Sequence, residues 1–169
     1  MLLLIRPLVG LLSCQSLDEM NLLDANNCAP TRNVVVARVL DGDTFETTEG
    51  ETIRLLGINA PEIEHPPDAE ECWGSESATW LNEELYGQEL RLGFDVTCED
   101  AYERTLAYAW VEGPLEEDTD DVLINELSVR EGQSRVYEDF DNVSLADVLY
   151  AAEALAQAES VGLWGVCES

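Results

Sequence analysis

The chain has 169 residues, is 46% hydrophobic and carries a net charge of −28 from 36 acidic and 8 basic residues. Every basic residue is arginine; there is no lysine. A length near 150 residues suits one compact domain that buries about 70% of its unfolded surface. The charge excludes a broad polyanion-binding surface, so a nucleic acid could approach only through screening salt, a bridging metal or a locally positive cleft. An acidic face solvated by water, adapted to high salt, is the plainer reading over a patch for one specific partner.

Residues 1–14 are apolar around Arg6 and end in Leu11-Leu12-Ser13-Cys14. This ending resembles the lipobox of bacterial lipoproteins, in which Cys14 would carry the lipid. The segment is shorter than the roughly 20 apolar residues a membrane span needs. Lipoprotein export is the leading reading, with plain secretion and a structural N-terminal segment as alternatives. Residues 15–31 are rich in Asp, Asn and Gln and read as a tether, with the folded domain over 32–169. Without Cys14, four cysteines are left, Cys28, Cys72, Cys98 and Cys167, an even set that points to disulfides in an oxidising compartment. Cys72–Cys98 with Cys28–Cys167 is the preferred pairing, because Cys72 and Cys98 both sit in loops beside the candidate site.

The β-branched run Val34–Leu40 predicts a strand, Asp41-Gly42 a turn, Thr44–Thr47 a second strand and Thr52–Ile58 a third. Ala60–Cys72, with three prolines, is a loop. Ala78, Trp80, Leu81 and Leu85 fall at helical spacing over Ser75–Tyr86, with Gly87 as the stop. Two further strands are predicted at Glu89–Phe94 and Thr105–Val111, and a helix at Val122–Glu131. A long helix over 145–160 opens on a Ser144-x-x-Asp147 capping box. The interleaving of strands and helices, with a meander first, predicts a small closed barrel with helices packed on it.

Cleaving a phosphodiester requires a nucleophilic water, a base to deprotonate it and positive charge on the crowded phosphate. Asp41-Gly42-Asp43-Thr44 and the stretch Arg54-Leu55-Leu56-Gly57-Ile58-Asn59-Ala60-Pro61-Glu62 bring those groups together in the sequence. A Ca²⁺ ion takes six to eight hard oxygens, and Asp43, Asn59 and a nearby backbone carbonyl supply several. Arg54 is the candidate phosphate clamp, because its planar fork grips two oxygens, and Glu62 the candidate base. A second cluster, Asp100-Ala101-Tyr102-Glu103-Arg104-Thr105-Leu106-Ala107-Tyr108, adds another arginine at the start of a strand.

Taken together and in this order, with Ile124-Asn125-Glu126-Leu127 and Trp164 further on, these motifs resemble the staphylococcal nuclease (thermonuclease) family over roughly residues 33–165. The resemblance implies an α+β domain, a five-stranded OB-fold β-barrel with three α-helices packed on it. It also implies a Ca²⁺-dependent endonuclease that acts on DNA and RNA and leaves 5′-hydroxyl and 3′-phosphate ends. Carried over by position, Arg54 and Arg104 would stabilise the transition state and Glu62 would activate water. Asp43, Asn59 and the carbonyl of Ala60 would hold the metal, and Tyr102 would contact nucleotide. A monomer is expected.

Two departures stand out. Asn59 lies where the family usually has Asp, and the loss of one charge should weaken cation binding by about an order of magnitude. The loop acids Glu64, Asp68, Glu70 and Glu71 are expected to restore part of that field. The chain also lacks the lysines that well-known members place around the cleft. A binding module on the same barrel, with weak or no catalysis, is the competing reading. Against it stands Glu62 beside both arginines, since a binding module needs no base. Taken singly, Asp41-Gly42-Asp43 is more often a turn, Arg54 a strand surface residue, His65 a loop residue and each tryptophan a packing residue.

Overall fold

The computed structural model describes residue 28 and residues 30–112, 121–137, 141–142 and 144–167. The expected lipobox and nearly all of the expected tether lie outside them. Strand β1 (Arg32–Val39) is bent in the middle by a register irregularity between Val36 and Arg38. Its first half, Arg32–Val35, pairs antiparallel with β5 (Glu89–Gly93), and its second half pairs with β2 (Thr44–Thr47). A bulge bends a strand and lets it serve two neighbours, and here it turns a flat meander into a curved one. β2 pairs with β3 (Thr52–Leu55) and β5 with β6 (Thr105–Val111). The parallel pairing of β3 with β6 closes these five strands into a barrel.

The barrel interior follows from alternation along the strands. Val34, Val36, Phe45, Ile53, Leu55, Leu90, Leu92, Ala107 and Ala109 are all buried in one cluster. The helix α1 (Gly74–Leu85) adds Leu81 and Leu85, and α3 (Ala146–Glu159) adds Leu149 and Ala152. Each of the Val, Leu, Ile and Phe side chains among them contributes about 1.5–3 kcal/mol when fully buried. β6 has two buried faces, since Leu106 and Tyr108 pack with Leu56 in a second cluster. The short α2 (Ile124–Arg130) follows the two-residue strand β7 (Val122–Leu123), and α4 (Leu163–Val166) ends the described chain.

Three local features differ from the expectations. The predicted third strand breaks after Leu55, because Gly57 takes a φ of 71°; the chain resumes as β4 (Ile58–Asn59) and pairs with β8 (Arg135–Val136). The helix expected from Val122 begins only at Ile124. The Ser144 capping box does not form. Its hydroxyl and its N–H both donate to buried Asp95, at 2.9 Å each, and α3 starts from Leu145 without a side-chain cap.

The disulfides are Cys28–Cys98 and Cys72–Cys167, not the expected pairing. The register decides the first, because Arg32 lies opposite Leu92, which carries the residues before β1 toward those after β5. The second follows from the turn at Gly132. Its carbonyl accepts the N–H of Leu163, and the neighbouring Gln133 accepts the indole N–H of Trp73, so α4 is drawn to the start of α1.

Candidate active site

The meander places Asp43 at the start of β2, beside Arg54 on β3, with Thr44 opposite Arg54 in the register. Asp43 is almost wholly buried, and both of its carboxylate oxygens are engaged. Oδ1 accepts the Thr44 hydroxyl at 3.0 Å, and Oδ2 accepts the Ala60 N–H at 2.8 Å. Arg54 Nη1 lies 2.9 Å from that same Oδ2 and donates to the Leu55 carbonyl at 2.9 Å. Arg54 Nη2 donates to Asn59 Oδ1 at 3.1 Å. One guanidinium therefore bridges the two side chains expected to hold a metal. Burial pushes the Asp43 carboxyl up to about 7, against the pull of Arg54 and with the push of neighbouring Asp41.

The turn that carries Asp43 is wedged from below. A Cβ at Gly42 would stand 2.0 Å from Ser77 Oγ of α1 and 2.5 Å from Ala60 Cβ, so only glycine fits. The Ser77 hydroxyl is buried there without a hydrogen-bond partner. Asn125 holds the other side. Its Oδ1 accepts the Ala109 N–H at 3.0 Å and its Nδ2 donates to the Leu56 carbonyl at 2.8 Å, which ties β6 to the turn between β3 and β4.

Glu62 has an exposed side chain on an anchored backbone. Its N–H donates to Glu71 Oε2 at 3.2 Å and its carbonyl accepts the Glu71 N–H at 2.9 Å. Glu70 accepts the Ser75 N–H at 2.6 Å at the start of α1. These two loop acids thus tie down the loop and the helix start, rather than only adding field to the site. Across the opening, Asp100 accepts the backbone N–H of Tyr102 at 2.8 Å and of Arg104 at 3.0 Å, and Arg104 Nε at 2.7 Å. Partial burial works against the Asp100 charge, but the hydrogen bonds from Arg104 and Tyr102 outweigh it and hold this carboxyl below its usual range. Tyr102 is 81% exposed, with the Arg104 guanidinium 5.5 Å from its ring centre.

One open cleft of about 610 Å³ is lined by Arg54, Asn59, Glu62, Tyr102 and Arg104; Asp43 and Ala60 do not line it but lie behind Arg54, beneath its floor. All seven expected site residues are therefore gathered in one place. The cleft also takes in Asp100 and Tyr137, which the sequence reading did not single out. Tyr137 follows a strand of only two residues, too short for any period to show, and its N–H donates to the Gly57 carbonyl at 2.9 Å. His65 pairs with Asp68 in the loop and does not line the cleft.

The oxygens fit a hard cation. Asp43 and Asn59 already converge on one positively charged group, and the orphaned Ser77 hydroxyl and the glycine-only contact lie directly beneath the turn. Among the described residues, no three His, Cys, Asp or Glu side chains gather around a metal position, so amide and backbone oxygens would have to complete the set.

A closed five-strand barrel with helices packed on it, and two arginines and a glutamate on one cleft, defines the class, a small OB-fold barrel domain. The model of the staphylococcal nuclease homologues matches residues 52–166, and the chain belongs to that family. It is 29% identical over 133 residues to the thermonuclease of Staphylococcus intermedius, covering 77% of this chain and 74% of the relative. It is 28% identical over 132 residues to the thermonuclease of Staphylococcus hyicus, covering 76% and 73%. It is also 31% identical over 138 residues to the SPbeta prophage-derived endonuclease YokF of Bacillus subtilis (strain 168), covering 78% of this chain but 44% of that longer protein.

Proposed function

We propose that the protein is an exported, Ca²⁺-dependent endonuclease that hydrolyses phosphodiester bonds of DNA and RNA to 5′-hydroxyl and 3′-phosphate ends. The observation that carries this reading is the convergence of Glu62, Arg54 and Arg104 on one cleft in a chain of the nuclease family. Glu62 takes a proton from the water that attacks phosphorus, and its exposed carboxylate on an anchored backbone suits that task. Arg54, through the N–H groups that Asp43, Leu55 and Asn59 do not take, and Arg104 donate to the non-bridging oxygens, where charge builds in the transition state. The 5′ oxygen leaves and is protonated, and the ring of Tyr102 lies where it can stack on the nucleotide. Asp43, Asn59 and the Ala60 carbonyl would hold Ca²⁺, which when bound supplies positive charge to the phosphate.

Export is supported by four cysteines joined in two disulfides, since such bonds persist in oxidising compartments. A lipid on Cys14 would anchor the chain to the bacterial envelope, and the protein acts as a monomer. A catalytically weak binding barrel is the second reading, favoured by Asn59 in a ligand position and by the pairing of both cleft arginines with acids of the chain.

Plasmid and single-stranded DNA, incubated with purified protein across Ca²⁺ and NaCl concentrations, separate the two. Cleavage that needs the metal and falls about 10²- to 10⁴-fold in Glu62→Gln is expected for the nuclease. If no cleavage depends on metal and on Glu62 at any salt, the nuclease reading fails and the binding barrel stands.

A further inference from the structure

The chain has eight arginines, of which Arg6 lies outside the described residues. Six of the others stand in ion pairs: Arg32 with Glu51, Arg38 with Glu46, Arg54 with Asp43, Arg91 with Asp121, Arg104 with Asp100 and Arg130 with Glu159. Arg135 differs. Among the described residues it pairs with no carboxylate, and its guanidinium lies instead over the ring of Trp164, 4.4 Å from the centroid. Stacking fixes the plane of the group and leaves its N–H edges free to face a ligand.

Its place in the fold gives this cation a direction. Arg135 is the register partner of Asn59 across the β4–β8 pair, and directly opposed residues share a face. Asn59 lines the cleft, and so does Tyr137, two residues further along and therefore on the same side of the chain as Arg135. Ile58 and Val136, the inward pair, are buried or half-buried, whereas Asn59 and Arg135 are exposed. On a chain of charge −28, an exposed guanidinium that forms no ion pair among the described residues, next to the cleft residues Asn59 and Tyr137, is where a phosphate finds attraction rather than repulsion.

We propose that Arg135 is a binding residue for a backbone phosphate beyond the scissile one. A single-stranded nucleic acid then runs out of the cleft past Tyr137 and across β8, and long strands bind better than short ones. This rests on the nuclease reading for the identity of the ligand, and it adds a subsite to it.

The test uses the full chain in chelator, so that no strand is cut, with a fluorescein-labelled thymidylate dodecamer followed by anisotropy over a series of NaCl concentrations. Arg135→Gln should bind the dodecamer about tenfold more weakly, the loss of one charge-assisted contact. The slope of log affinity against log salt should become shallower by about 0.7, the value for one phosphate contact on a single strand. Arg135→Lys should keep the slope, and binding of a thymidylate dinucleotide should not change. Trp164 emission should respond to the dodecamer in wild type but not in Arg135→Gln, with Trp164→Phe identifying the signal.

Equal affinity and slope in wild type and Arg135→Gln would overturn the subsite. So would a loss that the dinucleotide shares, or one that tracks a fall in thermal midpoint, since Arg135 would then only pin α4 to β8. Absence of any dodecamer binding by wild type would overturn it as well. Cleavage of the same dodecamer by wild type in Ca²⁺ reports separately on the nuclease reading. A protein that binds through Arg135 without cutting keeps the subsite and loses the nuclease.

Discussion

Two aspartate–arginine pairs flank the cleft, Asp43 with Arg54 at the floor and Asp100 with Arg104 at the rim, and the main difference between them is depth. The floor pair is nearly sealed, with side-chain exposures of 12% for Arg54 and 7% for Asp43; the rim pair is at 30% and 18%. Both pairs are close, at 2.9 and 2.7 Å. In the floor the loss of water dominates and drives the carboxyl up, while at the rim hydrogen bonds from a single tight turn drive it down. The same two side-chain types thus serve two ends. The floor pair is part of the fold and cannot be parted cheaply, whereas the rim pair holds Arg104 in place and can be parted at little cost.

The sharpest way to break this contrast is to delete each acid. Asp43→Ala should cost about 3–5 kcal/mol, because Arg54 would be left buried without its partner. Asp100→Ala should cost at most about 1 kcal/mol, as expected of a pair open to solvent. Denaturant unfolding of both variants measures this, and equal losses would show that depth is not what separates the pairs. Smaller is the effect at Asn59, which shares Arg54 with Asp43 but brings no charge. Asn59→Asp should lower the Ca²⁺ concentration needed for half-maximal binding about tenfold, the effect of one added charge beside a dication. Calorimetric titration reads it directly, and an unchanged requirement would remove Asn59 from the ligand set.

Much of this was legible in the sequence, and what was missed has physical causes. The barrel strands show in β-branched runs and turn dipeptides, and Asp43, Arg54, Glu62, Tyr102 and Arg104 stand in motifs whose order survives in the cleft. Local pattern gave way wherever a distant partner decided. Ser144 reads as a helix cap until Asp95 takes its hydroxyl from across the fold. The run Leu55-Leu56-Gly57-Ile58 reads as one strand until Gly57 turns and Asn125 takes the Leu56 carbonyl. The disulfides depend on strand register and on the turn at Gly132, neither of which cysteine spacing contains. Asp100 went unremarked because an acid two residues before a tyrosine looks like any other on so acidic a chain.

The last expected effect is one of sign, and it probes the two pairs in the chelated protein without touching activity. Asp100 is held below its ordinary value of 3.8 in the fold. Its contribution to stability is therefore complete above that value and is lost as pH falls through the folded pKa. Asp43 is raised from 3.8 to about 7, so the folded state holds that proton more tightly than the unfolded chain does. Its carboxyl contributes no penalty below 3.8; the penalty grows between there and about 7 and is complete above. The stability difference between wild type and Asp43→Asn should then move in favour of the variant as pH rises from about 4 to about 7. The difference between wild type and Asp100→Asn should stay flat over that range and close only at more acid pH. Denaturant midpoints taken across both windows decide it. If the two differences run parallel, burial does not set the floor pair apart, and the pairs differ in position alone.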